Sequence, residues 1–255
     1  MNSARFVFRP TIHPTMFTFK QFTIHDEHCA MKVGTDGVLL GAWTSTPRPH
    51  SHTIDIGCGS GLISLMLAQR EPTSYITGVE IDSAAAADAA ANVTASPFAR
   101  RVDIAEADIL HFAQTHPHEF DAVVSNPPYH EETLLPPSSA RAAARHTSGG
   151  GLTFPALLEA SSLLLKTNLD SSPCLSVILP TQNTTRFKTL AAIYGFQPTR
   201  ITEVVTRPKK PCKRTMIEFS RSNSPTSCTS SRLVLMNADA SRTTEYAALC
   251  TEFYL

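Results

Sequence analysis

Between residues 52 and 220, apolar positions fall into short β-branched runs separated by stretches with helical spacing. That alternation predicts βα units wound onto a mostly parallel sheet. His52 to Ile56 reads as the first strand of the series, followed by Gly57-Cys58-Gly59-Ser60-Gly61 and an apolar run from Leu62 to Gln69 of the kind that packs as a helix on a sheet. Tyr75 to Glu80 predicts a second strand, and the alanine-rich run Ser83 to Ala95 a helix, because alanine loses no side-chain entropy on becoming helical. Strands are expected at Arg101 to Ala105 and Phe120 to Ser125, the latter stopped by Pro127 and Pro128, which lack the N–H that a ladder needs. Farther on, the pattern predicts helix at Phe154 to Lys166, strand at Cys174 to Leu179, helix at Arg186 to Tyr194, and a closing pair of strands at Thr199 to Val205 and Arg214 to Phe219.

Outside this core the readings are coarser. Residues 1–50 provide a cover over the sheet edge rather than an independent domain. Pro136 to Gly151, rich in Pro, Ser, Ala and Gly, reads as a mobile connection. Arg221 to Ser231 reads as a polar linker, and Leu233 to Leu255 as a short strand and helix that fold back onto the core of residues 51–220.

Composition narrows the class. A chain of 255 residues that is 42% hydrophobic and 17% charged can bury a substantial core as one large globular unit. Lys+Arg and Asp+Glu both total 22, so there is no global basic signature and any nucleic-acid surface must be local. One such surface stands out. Arg200, Arg207, Lys209, Lys210, Lys213 and Arg214 face only Glu203, and the loop from Thr206 to Lys213 is both basic and proline-rich. The six cysteines form no CxxC, which points to free thiols in a reducing cytosol. His25, His28 and Cys29, like His116 and His118, have metal-ligand types without a third fixed ligand, so no metal is expected. Met1 to Pro14 lacks a signal-peptide core, and no stretch approaches the ~20 apolar residues of a membrane span. A cytoplasmic protein with no membrane association and no obligate protein partner is expected.

The glycine turn lies where an open α/β sheet offers a crevice at its strand ends. Gly57, Gly59 and Gly61 let a ligand approach the backbone, and the helix start behind them suits an anionic group. The spacing is G-x-G-x-G behind Asp55, not the G-x-G-x-x-G of dinucleotide-binding turns. Glu80, closing the second strand, is placed to accept from ribose hydroxyls, and Asp108, past the third, to receive an adenine amino group. Acids after three successive strands give a pattern that resembles the class I S-adenosylmethionine methyltransferases, which implies a Rossmann-like seven-stranded sheet with helices on both faces and S-adenosyl-L-methionine as cofactor.

Asn126-Pro127-Pro128-Tyr129 supplies the complementary chemistry. An exocyclic amine on an aromatic ring, or an amide nitrogen, is a poor nucleophile because its lone pair is delocalised. The Asn126 side-chain carbonyl and the Pro127 backbone carbonyl can each accept one N–H at roughly 3 Å, which turns the lone pair toward an electrophile. Tyr129 can stack on the ring, a contact worth ~1–3 kcal/mol for a nucleobase. No strong base is required.

The run Phe17-Thr18-Phe19-Lys20-Gln21-Phe22, with Cys29 through Trp43, closely resembles the N-terminal region of the bacterial tRNA1(Val) adenine N6-methyltransferases, and the likeness continues through the tetrad, Arg141, Ala144-Arg145-His146-Thr147 and Phe253-Tyr254-Leu255. The resemblance implies methylation of the adenosine immediately 3′ of the anticodon in a valine tRNA. It implies that Thr35 and Asp36 help close over the cofactor, that Asp55, Gly57, Gly59, Glu80 and Asp108 bind it, and that Asn126 to Tyr129 hold the base. Arg141, Arg145 and His146, together with the basic loop, are candidates for contact with the tRNA. This chain departs from the family at Gly149-Gly150-Gly151 and in a lengthened polar segment from Asn168 to Pro173. Two alternatives stand beside this reading: a glutamine N5-methyltransferase acting on protein, which also uses such a tetrad, and an N6-adenine methyltransferase acting on rRNA or DNA. The glutamine enzymes usually carry a separate helical domain ahead of the core, which the roughly fifty residues before the glycine turn argue against, and a DNA enzyme generally needs a sizeable target-reading domain, which does not fit here.

Overall fold

The computed structural model describes residues 16–128, 152–167, 173–221 and 227–254. Two short strands, β1 (Met16–Thr18) and β2 (Thr23–His25), form an antiparallel hairpin. Helix α1 (Thr35–Trp43) follows. The alternating core then runs β3 (His52–Ile56), α2 (Leu62–Arg70), β4 (Tyr75–Glu80), α3 (Ser83–Ala95), β5 (Val102–Glu106), α4 (Ile109–Thr115) and β6 (Ala122–Ser125). After it come α5 (Phe154–Leu164), β7 (Cys174–Pro180), α6 (Thr184–Ile193), β8 (Phe196–Val205), β9 (Arg214–Arg221), β10 (Thr229–Val234) and α7 (Thr244–Leu249).

The main sheet has the order β10-β8-β9-β7-β6-β3-β4-β5. Strands β7, β6, β3, β4 and β5 are parallel, whereas β9 is antiparallel to both β7 and β8. The expected seven strands are joined by an eighth. Strand β10 adds parallel to β8, pairing Thr229 with Arg200 and Val234 with Val205. The supposed linker up to Ser231 therefore enters the sheet at its end, because backbone pairing on an open edge does not depend on apolar side chains. Four of the six residues of β10 are exposed, which hid the strand from its hydrophobic pattern.

One face of the sheet carries the hairpin, α1, α2, α3 and α7, packed around Phe19, Phe22, Leu39, Leu40, Leu65 and Met66. On the other, α4, α5 and α6 pack around Phe112, Phe120, Leu157, Phe187 and Phe219. The N-terminal segment thus lies across a face, where the sequence suggested an edge. Two glycines explain why it fits so closely. A Cβ on Gly41 would stand 2.7 Å from the buried Met66 sulfur, and one on Gly37 would stand 3.0 Å from Leu62. Their spacing of four residues puts both on the side of α1 that meets α2.

Helix α4 has no counterpart in the expectations. Its seven residues are too few to establish a period, and Asp108 caps it by accepting from the Leu110 and His111 amides, both at 3.0 Å. The stretch expected to be a mobile connection, Pro136 to Gly151, lies wholly outside the described residues.

Candidate active site

Every parallel strand ends on the same rim, and the site is built there. Strand β3 delivers Asp55, whose Oδ2 accepts from the Ser64 amide at 3.1 Å and the Ser64 hydroxyl at 2.7 Å. Its Oδ1 is buried and has no partner among the described residues. An unsatisfied carboxylate oxygen is costly to bury. Burial pushes this carboxyl up to about 7, against the pull of the Ser64 hydrogen bonds, and the nearby Glu80 charge adds to the rise. Such an oxygen is suited to a donor arriving from outside the chain.

The turn after β3 runs through Gly57 (φ +70), Gly59 (φ +53) and Gly61 (φ +78), all in the left-handed region that side chains resist. A Cβ at Gly59 would meet nothing within 4 Å among the described residues, which leave the turn open there. The turn is also tied to β4. Gly57 and Cys58 donate their amides to the Val79 carbonyl at 2.9 and 3.1 Å, and Gly59 donates to Glu80 Oε2 at 2.9 Å. Glu80 Oε1 accepts from Ile81 and Asp82 at 2.9 and 3.0 Å. Glu80 therefore braces the turn as well as presenting carboxylate lone pairs to the rim. Ile81 beside it is 63% exposed, an apolar surface at the strand end that sequence reasoning did not single out. Asp108 spends Oδ1 on the α4 cap and is exposed at the end of β5.

Three further residues of the site went unread in the sequence. Ser64 orients Asp55. Asn92, buried on α3, donates to the Ser60 carbonyl at 3.0 Å and the His25 carbonyl at 2.7 Å, and accepts from the His25 amide at 2.9 Å, so it fastens the N-terminal segment to the glycine turn. Asp88, on the same helix, accepts from the His28 amide at 2.8 Å and its ring Nδ1 at 2.9 Å. The i, i+4 spacing of Asp88 and Asn92 on a predicted helix was the available signal.

Asn126 and Pro127 follow directly on β6, the strand next to β3. The Ser125 hydroxyl donates to the Ile56 carbonyl at 2.8 Å and locks the two strand ends together. One strand spacing, about 4.8 Å, separates the strand that feeds the glycine turn from the one that bears Asn126. Pro127 is buried and Pro128 half-buried. Tyr129, Arg141, Arg145 and His146 lie outside the described residues.

The basic loop reaches the same rim. It joins β8 to β9, and Arg214 at the start of β9 pairs with Pro180 at the end of β7. Strand β9 is two spacings from β6, roughly 10 Å. Arg207, Lys209, Lys210 and Lys213 are all exposed. Arg214 instead donates its Nε to Asp36 at 2.6 Å. Asp36 sits in the first turn of α1 directly after Thr35, and the following residue, Gly37, packs on Leu62 at the start of α2.

Among the described residues no group of His, Cys, Asp and Glu is arranged to hold a metal ion, and no helix is long and apolar enough to cross a membrane.

A parallel α/β sheet with an antiparallel β9, a glycine turn behind an orphaned acid, and a second acid closing the next strand define a class I S-adenosylmethionine-dependent methyltransferase. The residues fit that cofactor: among the described residues Asp55 Oδ1 lacks a partner and the glycine turn is open at Gly59, and acids close β4 and cap α4. Residues 33–152 match the family described as methyltransferase small domain. The fold resembles a predicted O-methyltransferase from Agrobacterium tumefaciens at TM-score 0.68 and 19% identity, covering 86% of this chain and 96% of that one. A transferase from Pyrococcus horikoshii aligns at TM-score 0.55 and 11% identity, over 81% of this chain and 71% of that one. Over 249 residues the chain is 42% identical to a tRNA1(Val) (adenine(37)-N6)-methyltransferase of Yersinia pestis strain Pestoides F, covering 97% of this chain and 96% of the relative. Yersinia pseudotuberculosis serotype O:1b has a relative of the same description, identity and coverage. The chain belongs to the tRNA1(Val) (adenine(37)-N6)-methyltransferase family.

Proposed function

We propose that the protein methylates N6 of the adenosine at position 37 of tRNA1(Val), next to the anticodon, using S-adenosyl-L-methionine. The observation that carries this reading is the placement of Asn126-Pro127 on the strand adjoining the glycine turn, with Ser125 bonded across to Ile56. The relatives described above supply the identity of the base.

The cofactor supplies a methyl group on a positively charged sulfur, an electrophile that needs no further activation. Asp55 Oδ1, the glycine turn, Glu80 and Asp108 hold it, with Thr35 and Asp36 closing the side nearest α1. Asn126 and Pro127 do the rest by accepting the two N–H bonds of the adenine amine. This aims the nitrogen lone pair and stabilises the positive charge that grows on nitrogen. Tyr129 stacks on the base. Buried Pro127 keeps the backbone carbonyl from wandering, because its ring fixes φ.

The basic loop gives the tRNA its electrostatic footing. Arg207, Lys209, Lys210 and Lys213 are exposed on the methyl-transfer rim without an ion pair among the described residues, and they meet phosphates there. Arg141, Arg145 and His146 add contacts from the segment after the tetrad. The protein works in the cytoplasm, where tRNA and cofactor are both present.

The deciding experiment incubates purified protein with methyl-labelled cofactor and unmodified tRNA1(Val), then digests the RNA for mass spectrometry. N6-methyladenosine mapped to position 37 is the expected product. Label found in protein and not in RNA would overturn this function in favour of glutamine methylation.

A further inference from the structure

The ion pair between Arg214 and Asp36 joins two parts of the rim that have different jobs. Arg214 directly follows the basic loop, and its Nη1 also donates to the Lys213 carbonyl at 3.1 Å. The base of the loop is fixed to the turn that follows β7, because Thr181 donates its amide to the same carbonyl at 3.1 Å. Asp36 belongs to the first turn of α1, one residue before the Gly37 contact with Leu62, which is the first residue of α2 after the glycine turn.

Helix α1 is anchored at its other end to the hairpin of β8 and β9 that carries the basic loop. The Trp43 indole donates to Thr202 on β8 at 2.9 Å, the Arg200 guanidinium lies 3.9 Å from the Trp43 ring centroid, and the Ser45 amide donates to Glu218 on β9 at 3.1 Å. Ahead of α1, Asn92 holds His25 to Ser60 in the glycine turn. The segment from His25 to Ser45 is therefore fastened at one end to the cofactor turn and at the other to the hairpin that presents the basic loop. Of these fastenings, the Arg214–Asp36 pair is the one that directly adjoins the basic loop, and its side chains keep 34% and 26% of their exposure. Partly solvated, it can respond to what binds beside it.

We propose that Arg214 is a positioning residue for the cofactor site, acting through Asp36, and that this pair makes tRNA and S-adenosylmethionine bind cooperatively. The inference rests on the reading of the chain as a tRNA methyltransferase. Phosphates neutralise Lys209, Lys210 and Lys213 and relieve their repulsion of Arg214, which strengthens the pair it already forms with Asp36. The strengthened pair holds the first turn of α1 more firmly against Leu62. The cofactor meets a site whose ordering has already been achieved, which is positive coupling. By linkage, bound cofactor strengthens tRNA binding by the same factor.

The test measures the Kd of S-adenosylhomocysteine by calorimetry with and without saturating tRNA1(Val) transcript. It uses the full chain and its Arg214→Gln, Arg214→Lys and Asp36→Asn variants, with melting curves to confirm that each is folded. The wild type is expected to bind the probe about fivefold or more tighter with tRNA present, within the usual range of such couplings. Arg214→Gln and Asp36→Asn should both reduce this to less than about twofold, with Arg214→Lys between them and the wild type. Coupling left intact in Asp36→Asn, with Arg214→Gln weakening only binary tRNA affinity, would make Arg214 a plain phosphate contact and overturn the proposal. So would a wild type that methylates tRNA without any coupling. A wild type that neither binds nor methylates tRNA overturns the proposed function first, and this inference with it.

Discussion

The two halves of the catalytic rim are built on opposite principles. At the cofactor half, β3, β4 and α3 converge on groups that are buried or hydrogen-bonded: Asp55 on Ser64, Glu80 on Gly59, Asn92 on Ser60 and His25. At the hairpin half, the loop between β8 and β9 presents exposed lysines and arginine with few fixed partners. Geometry that must meet a small cofactor to within fractions of an ångström is worth the burial of polar groups. A surface that meets a flexible polyanion gains most of its affinity from charge, and charge works through water.

Substitutions can break this contrast at graded strengths. The largest effect is expected at the junction of the halves, where Asn126→Ala should lower kcat by about 100- to 1000-fold, the cost of one lost acceptor or donor at a developing charge. Cofactor affinity measured by calorimetry should stay unchanged. A variant that keeps full activity would remove Asn126 from the chemistry.

Next comes the loop. Replacing Lys209, Lys210 and Lys213 together by Gln should weaken tRNA binding by at least about tenfold at low salt and lessen the slope of log Kd against log salt by about 2 to 3. S-adenosylhomocysteine binding without tRNA should not move. An unchanged slope in filter-binding titrations would exclude these lysines as phosphate contacts.

The cofactor half responds to pH through Asp55, whose folded carboxyl is raised to about 7 by burial. Between the ordinary carboxylate value near 4 and about 7, the folded cofactor-free protein holds a proton that the unfolded chain has released. Stability from this group is therefore present below about pH 4 and is lost as pH rises to 7. Asp55→Asn should flatten that decline in Tm and raise Tm at pH 8, while costing cofactor affinity about tenfold. An Asp55→Asn protein less stable than wild type at pH 8 would show that the buried carboxylate carries no such penalty.

The smallest expected change concerns packing. Gly41→Val should cost about 1–3 kcal/mol of stability, because its side chain enters space held by Met66 in a full core. Denaturant titration checks it, and a variant as stable as wild type would mean that α1 and α2 can separate freely.

Much of the cofactor half was legible in the sequence because its signals are local. A glycine turn behind Asp55, an acid at the end of each of the next two strands and a proline stop after Ser125 are all set within a few residues of a predicted element. The core strands and the alanine-rich α3 appeared where their periodicity placed them, β3, β4 and α3 with the same bounds. Helix α1 did not, because its two glycines and nearly all-round burial erase the amphipathic stripe. Helix α4 was too short to show one, and β10 was too polar.

By itself the sequence determined which residue types stand at the ends of which strands, and so the cofactor class. Only the tertiary structure decided what those ends touch. Asp36 and Arg214 are 178 positions apart, Trp43 and Thr202 159, and Asn92 reaches back 67 residues to His25. Periodicity reports the face a residue turns toward the core, not the partner waiting there. Those partners are chosen when the sheet order brings distant strands side by side, and with them the basic loop, the cover helix and the cofactor turn onto one rim.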